Sequence, residues 1–523
     1  MAAQSKSAKL DRKKLFSDPV MVGMISILLI FLVLFIVYPL FVLLIDSIYT
    51  EGKLTLSVFQ RVLSMKRFRT AFSNTLVLGL LTGILSTAIG LLFAYVDVYV
   101  KIKNKAVGKL FNVVSLLPVV SPPFVLSLST IMLFGRSGII TRSLLHIYDS
   151  NVYGLKGIVV VQTLTFFPVC YLMLKGLLKN IDPSLEEAAR DIGASRMKVF
   201  TTVTLPLLLP GLGNAFLVTF IESVADIQKY YLERKTAATL TGKASRARML
   251  IEDKSVTIPL TLICCLVALF VIIMYIMIPF GALFKLWGRD YSLTFKWFDY
   301  LFKYSGLKAF KDSFLLSVIA APITALLSMV ISYLVVKKKF RSKGFIEFVS
   351  MLAMAVPGTV LGIGYIRGYA NGIFHTGVLS GIYGTGIILI IVFIVRSLPV
   401  GTRSGISALR QIDKSIEESA YDLGAGSGRV FTTVTLPLIK DSFFSGLVTS
   451  FVRSITAISA IILLVTPQFL LITCQINEFA EKGYYGVACA YATILIAIVY
   501  LSVLLMNLFI RFFGTSKKIK EEK

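Results

Sequence analysis

Apolar residues along the 523-residue chain gather into uncharged runs of about twenty positions, the length that carries a helix across a bilayer core. Such runs lie at Met21 to Ile45, Ala71 to Val96, Leu110 to Phe134 and Gly157 to Leu174, with a shorter one at Leu205 to Ile221 interrupted by Glu222 and Asp226. Further runs follow at Ser255 to Phe284, Ser313 to Val336, Phe348 to Ile366, Gly377 to Val395, Ser442 to Gln475 broken by Arg453, and Gly483 to Ile510. Eleven apolar runs predict an all-α polytopic membrane protein. The segment ahead of the first run holds Lys6, Lys9, Arg12, Lys13 and Lys14 and has no small-residue cleavage site, so it reads as leading into a retained span.

Composition agrees: 56% of residues are hydrophobic and 16% charged, against about 25% charged in soluble domains. The formal charge of +26 sharpens the picture further. A nucleic-acid binder concentrates its cations on a soluble module, whereas here they sit in short stretches between apolar runs, as Lys337, Lys338, Lys339, Arg341 and Lys343 do. That pattern marks cytoplasmic loops and places both termini, the second with Lys517, Lys518 and Lys520, on the cytoplasmic side of the membrane. Lys53, Arg61, Lys66, Arg67 and Arg69 are the exception, falling outside after the first span. Cys170, Cys264, Cys265, Cys474 and Cys489 lie in or beside apolar runs and read as buried thiols.

The chain repeats itself at an offset of 231. Glu186-Glu-Ala-Ala-Arg-Asp-Ile-Gly-Ala-Ser and Val199-Phe-Thr-Thr-Val-Thr-Leu-Pro-Leu207 return as Glu417-Glu-Ser-Ala-Tyr-Asp-Leu-Gly-Ala-Gly and Val430-Phe-Thr-Thr-Val-Thr-Leu-Pro-Leu438. Fifteen of the twenty-six positions from Glu186 to Gly211 are identical, so two homologous halves are present, as in many transporters. In each copy Ser184-Leu-Glu-Glu187 and Ser415-Ile-Glu-Glu418 have the capping-box form that opens a helix. Leu185, Ala188, Ala189 and Ile192 then share an apolar face, and Gly193 and Gly424 close the helix. A second short helix with Val199, Phe200 and Val203 on its apolar side is expected before Pro206. A single copy would read as a linker resting on lipid; two near-identical copies point to a docking element.

These residues resemble the coupling motif of bacterial ABC importer permeases, a Glu-Ala-Ala loop with its glycine followed by a Thr-Leu-Pro segment. The resemblance implies a type I (MetI-like) permease fold of two parallel repeats, working by alternating access. It also implies that Glu186, Glu187, Ala189, Asp191 and Gly193, and Glu417, Glu418, Ala420, Asp422 and Gly424, dock on a dimer of cytoplasmic ABC ATPases. Those ATPases would carry the ATP and Mg, leaving this chain without cofactor or catalytic residue, and an extracytoplasmic solute-binding protein would deliver the cargo. The second copy departs from the motif at Ser419 and at Asp441-Ser442. Both halves in one chain, with Phe220-Ile-Glu-Ser-Val-Ala-Asp226, Tyr231-Leu-Glu-Arg-Lys235 and Ser450-Phe-Val-Arg-Ser-Ile-Thr-Ala457, look most like the ferric iron permeases. Polyamine, thiamine, sulfate and phosphonate permeases are similar in the loop, and an ion-driven secondary transporter is the rival outside the class.

Other features bear on the same reading. Thr241-Gly-Lys-Ala244 lacks the upstream glycine and the hydroxyl of a phosphate loop, so the energy source is expected on another subunit. No metal cage is expected from His146 and His375, each in its own short loop. Glu222, Asp226, Arg396 and Arg453 are costly in hydrocarbon and are expected to face a bundle interior or cavity; Glu222, Asp226 and Arg453 are the pore-lining candidates, with Glu222 and Arg453 equivalent in the two repeats and a candidate pair.

The expected organisation is a cytoplasmic segment 1–19, a first repeat 20–227 with coupling loop 182–211, a basic linker 228–256, a second repeat 257–513 with coupling loop 413–442, and a basic tail 514–523. Coupling loops on one face require an even number of spans between them, yet the runs give five. In the second half about fifty residues, including a span, follow Arg453-Ser-Ile-Thr-Ala-Ile458. In the first, Ile227 joins directly to Gln228. The family's six plus six spans would be restored by a sixth span missing at that junction. The secondary alternative is that Leu205 to Ile227 forms a re-entrant hairpin, which repairs the parity without a sixth span.

Overall fold

A computed structural model describes residues 19–514, apart from 225–249 and short stretches at 51–52, 103, 123, 339, 341, 411, 413, 427–429, 431–432 and 435. The termini, Asp226 and the Ile227–Gln228 junction therefore lie outside the described residues. Among those described, nine helices are long and apolar enough to cross a membrane, or ten when one bent pair is taken as a span.

The first span is α1 (Pro19–Leu32), a π-helical turn at Val33–Val37, and α2 (Tyr38–Ile48). A hairpin of β1 (Tyr49–Thr50) and β2 (Lys53–Leu54) leads through α3 (Ser57–Ser64) into α4 (Lys66–Tyr99). After it come α5 (Lys105–Val120), α6 (Phe124–Phe134), α7 (Leu155–Asn180), α8 (Pro183–Asp191), α9 (Arg196–Val199) and α10 (Leu205–Val224).

The second repeat starts with α11 (Lys254–Leu283), a hairpin of β3 (Phe284–Leu286) and β4 (Asp290–Leu293), α12 (Lys296–Lys303) and α13 (Gly306–Lys337). α14 (Lys343–Ala355) and α15 (Gly358–Tyr369) are bent by 109° at Val356-Pro357. Then follow α16 (Gly386–Arg410), α17 (Lys414–Asp422), α18 (Leu436–Ile455), α19 (Ile472–Glu481) and α20 (Tyr485–Gly514). The run Ser442 to Gln475 is thus not one span, since α18 stops at Ile455 and an irregular stretch precedes α19.

The hairpin and short helix after the first helix form a second internal repeat, at an offset of 239, that the sequence pattern did not disclose. Thr55 accepts the Ser57 N–H at 3.1 Å and Thr294 that of Lys296 at 3.2 Å, so the same hydroxyl starts α3 and α12. The cations at odds with the loop-charge rule, Lys53, Arg61 and Lys66, sit on this module, and Lys285, Lys296 and Lys303 do so in the second copy.

The chain folds into two compact units, one of residues 1–60, 305–475 and 497–523, the other of 61–304 and 476–496. Each is built on three mutually packed helices: α13, α16 and α18 in the first, α4, α7 and α10 in the second. Glycines permit the close approach. A Cβ on Gly90 of α4 would lie 2.5 Å from Cys170 Cβ of α7, and one on Gly401 of α16 would lie 2.4 Å from Ser328 Oγ of α13.

Each unit is completed by the first helix of the other repeat. In the first unit α1–α2 packs on α14 and α15. Tyr365 donates to the Phe35 carbonyl at 2.5 Å, Tyr369 to Leu34, and Tyr38 to Gly368 at 3.1 Å, so the carbonyls of the π-helical turn are taken by hydroxyls. Arg367 and Asp46 close the same contact with a 2.7 Å ion pair. In the second unit α11 takes the corresponding place against α4, α5 and α6.

Candidate functional site

The repeated loop becomes α8, a tight turn and α9. Its cap is not the Ser184 box: Asp182 is the N-cap, accepting the Ser184 N–H at 3.0 Å, and Pro183 takes the first helical position, where its missing N–H costs nothing. At the other end Gly193 has φ of 85°. The Gly193 N–H reaches the Arg190 carbonyl at 2.8 Å and the Ala194 N–H that of Ala189 at 3.1 Å, a Schellman closure. The second copy closes alike, with Gly424 at 81° and Ala425 N–H on Ala420 at 3.1 Å. A Cβ at either glycine would meet nothing within 4 Å, so the turn requires glycine for its backbone and not for space.

No separate second helix follows. α9 passes through a π-helical stretch, Phe200–Thr204, straight into α10, so Val199, Phe200 and Val203 begin the fifth span. The wider i→i+5 turn accommodates Pro206, which has no N–H to place in the ladder.

The two faces of α8 have opposite roles. Pro183 and Glu186 are buried, and the Glu186 carboxylate accepts Tyr99 Oη at 2.5 Å and Thr204 Oγ1 at 2.9 Å. It therefore pins α8 to the end of α4 and the start of α10. The apolar face points the other way, with Ala188 exposed, Leu185 49% exposed and Ile192 86% exposed. Ile416 and Leu423, their counterparts on α17, are 46% and 89% exposed. Each of the two helices thus presents an uncovered aliphatic side chain beside its closing glycine.

Glu187 and Ala189 are half-buried and Asp191 and Gly193 exposed; Ala420 is half-buried and Asp422 and Gly424 exposed. The side chains of Glu417 and Glu418 lie outside the description. Behind α8, Lys175 Nζ meets Asp97 Oδ2 at 2.6 Å, and Tyr171 Oη donates to the same carboxylate at 3.1 Å, bracing the ends of α4 and α7.

Of the other charged candidates, Glu222 and Arg453 occupy the last turns of α10 and α18, both half-buried. Arg396 has a structural partner: its Nη1 donates to the carbonyls of Ala353 and Val356, each at 2.9 Å, taking up the open end of α14 at its bend. Among the described residues no three His, Cys, Asp or Glu side chains converge as for a metal ion.

Comparison with known proteins places this geometry. Residues 86–281 and 324–517 each match the family described as binding-protein-dependent transport system inner membrane component. The ferric transport system permease protein FbpB of Actinobacillus pleuropneumoniae is 33% identical over 545 aligned positions, covering 93% of this chain and 78% of that protein. The Fe(3+)-transport system permease protein FbpB 2 of Haemophilus influenzae is 22% identical across 86% of this chain and 91% of its own. The molybdenum transport system permease protein ModB of Escherichia coli is 32% identical over 142 residues, 27% of this chain and 61% of that one. A chain of the crystal structure of a bacterial ABC transporter involved in the import of alginate aligns with 50% of this chain and 98% of its own, at 21% identity and a TM-score of 0.41. With the family matched twice and a 33% identical relative covered over most of its length, the chain belongs to the binding-protein-dependent transport system inner membrane components, the multi-pass permeases of ABC importers.

Proposed function

We propose that this permease imports ferric iron. The reading is carried by the similarity to ferric permeases over most of the chain, together with two exposed coupling helices of matched geometry. α8 and α17 would seat in a dimer of ATPase subunits on the cytoplasmic side, Ile192 and Leu423 entering the cleft, and a soluble binding protein would bring the cargo to the opposite face. ATP and Mg belong to the ATPase, while this chain supplies the path and alternates its access. Glu222 and Arg453 would each face that path, and a charge reversal at either should lower uptake. Asp226 belongs to the same proposal and lies outside the described residues.

Among the described residues, the first repeat has no counterpart of α20 after α10. α10 begins at the coupling end of its unit and finishes with Val224 beside Gly79, about 30 Å up α4 from Tyr99 at 1.5 Å per residue. The next described residues are back at the coupling end, with Ile251 paired to Val100. α10 is one continuous helix, which contradicts a re-entrant hairpin over Leu205 to Val224. Two successive helices, α10 and α11, thus leave the same end, and a return crossing belongs between them. The second repeat has such a helix in α20; residues 225–249 of the first carry six cations and make a poor span. The FbpB alignment fits, since 545 positions exceed by about sixty the 93% of this chain that they use.

The deciding experiment is uptake of radiolabelled ferric iron into proteoliposomes holding this chain, its ATPase and its binding protein. Uptake should need ATP and both partners and survive collapse of ion gradients. Gradient-driven uptake without ATP overturns the assignment.

A further inference from the structure

α11 starts at the coupling end of the second unit, next to Ile251 on Val100, and its 30 residues rise about 45 Å at 1.5 Å per residue. The β3–β4 hairpin and α12 that follow therefore sit at the opposite end, where an apolar span gives way to water. Both tryptophans of the chain, Trp287 and Trp297, are in this module. Trp297 Nε1 donates to the Phe284 carbonyl at 2.8 Å and Trp287 Nε1 to that of Met132 at 3.1 Å, so each indole N–H is satisfied while its side chain stays half-buried. Tyr291, Tyr300 and Tyr304 lie in the same stretch. Such rings collect where hydrocarbon meets headgroups.

α12 is held to its unit by Leu301, which is buried, and by Trp297, Phe298 and Tyr300, which are half-buried. Its outward side divides lengthwise. Phe295 at the N-cap and Phe302, which are 69% and 57% exposed, form an apolar stripe, and Lys296, Asp299 and Lys303, all exposed, form a charged stripe beside it. Lys296 Nζ stands 4.1 Å from the centre of the Trp297 ring. Among the described residues neither Lys296 nor Lys303 lies within ion-pair distance of a carboxylate. The apolar stripe recurs in the first copy of the module, where Leu56 and Leu63, the counterparts of Phe295 and Phe302, are 62% and 57% exposed. A side that is apolar in both copies and flanked by cations suits a boundary better than open water.

We propose that α12 lies flat in the headgroup layer of the leaflet away from the coupling helices and binds anionic phospholipid there. Phe295 and Phe302 enter the acyl chains, and Lys296 and Lys303 take the phosphates. The charge fits: from Phe284 to Tyr304 the chain carries Lys285, Arg289, Lys296 and Lys303 against Asp290 and Asp299, and Asp290 is taken up by Lys285 at 3.6 Å. Lipid phosphate thereby accounts for cations that the loop-charge rule would put on the other side of the membrane. The hairpin and α12 fill the chain between Leu283 of α11 and Gly306 of α13 almost completely, so a helix fixed at the headgroups sets the depth of both spans. The rival occupant is the acidic face of a soluble binding protein, which would reach this end through water.

Because both indoles lie in this module, the tryptophan emission of the full-length protein in vesicles reports its surroundings. Phosphatidylcholine with brominated acyl chains should remove about half of that emission, and acrylamide in the aqueous phase should remove little. Trp287→Phe, which leaves Trp297 as the single indole, should behave alike. In mixed vesicles brominated phosphatidylglycerol should quench about fivefold more effectively, mole for mole, than brominated phosphatidylcholine. Lys296→Gln with Lys303→Gln should erase that preference and leave quenching by brominated phosphatidylcholine in place. Emission of the unaltered protein that answers to acrylamide and not to brominated lipid overturns the proposal and leaves the face to a soluble partner. Equal quenching by the two lipids, or a preference that survives the double lysine replacement, overturns the anionic-lipid site. Neither readout involves transport, so failure here is distinct from failure of the iron assignment.

Discussion

Glu186 shows how one side chain's role reverses between sequence and structure. A glutamate in a docking motif reads as a surface charge, yet this one is buried, and its work is to hold α8 down on Tyr99 and Thr204. Truncation to alanine strips an acceptor from two buried hydroxyls at about 1–3 kcal/mol for each left unsatisfied, whereas glutamine keeps an acceptor oxygen. Glu186→Ala should therefore lower the thermal midpoint and expose the α8 loop to protease, and Glu186→Gln should do much less. Ile192 and Leu423 behave oppositely. Surface replacements of this kind stay within about 0.5 kcal/mol of native stability. Ile192→Ser with Leu423→Ser should leave the midpoint in place while weakening ATPase binding by about thirtyfold, the loss expected on removing a hydrophobic anchor worth about 2 kcal/mol. Unchanged ATPase affinity in a titration would remove these two residues from the interface.

At the scale of elements, most apolar runs located spans because burial in lipid demands length and composition above all, but Leu110 to Phe134 and Ser442 to Gln475 are each broken between two helices. The closing glycines were equally legible, since a left-handed turn selects glycine chemically. The cap was misread by two residues: Ser184 and Asp182 are both good caps, and Pro183 decides between them by fixing the first helical position. The π-helical turn at Val33–Val37 was not read from the sequence, because the hydroxyls that meet its carbonyls are remote. The Phe35 and Leu34 carbonyls accept from Tyr365 and Tyr369, some 330 residues away. Removing both hydroxyls with Tyr365→Phe and Tyr369→Phe should cost about 2–6 kcal/mol in total. The measurable sign is a lower unfolding midpoint with faster proteolysis after Arg367, and an unaltered profile would mean that the turn stands without them.

For the whole molecule, the duplication was readable from fifteen identities, but the exchange of first helices was not, since either partner satisfies an apolar face equally well. Among the described residues, four unbroken apolar helices and one bent pair lie between the two repeated loops. A reporter fused after Lys243 should be found on the coupling-helix side of the membrane, as Ile251 on Val100 requires. Activity of the reporter on the opposite face would restore a strict eleven-span protein. Inserting the second repeat's own stretch, Ser459 to Leu508, after Ile227 should raise uptake if the missing crossing limits it.

The contact between Tyr38 and Gly368 also sets a timetable for synthesis. Translation at about 5–20 residues per second leaves roughly 15–65 seconds between the emergence of these two residues. Throughout that interval the first span sits in lipid with its π-helical carbonyls waiting for their tyrosines. A nascent chain arrested before Tyr365 should therefore be a good substrate for membrane quality control, and one arrested after α16 a poor one. The exchanged helix makes the order of manufacture, and not only the final packing, part of what keeps this permease intact.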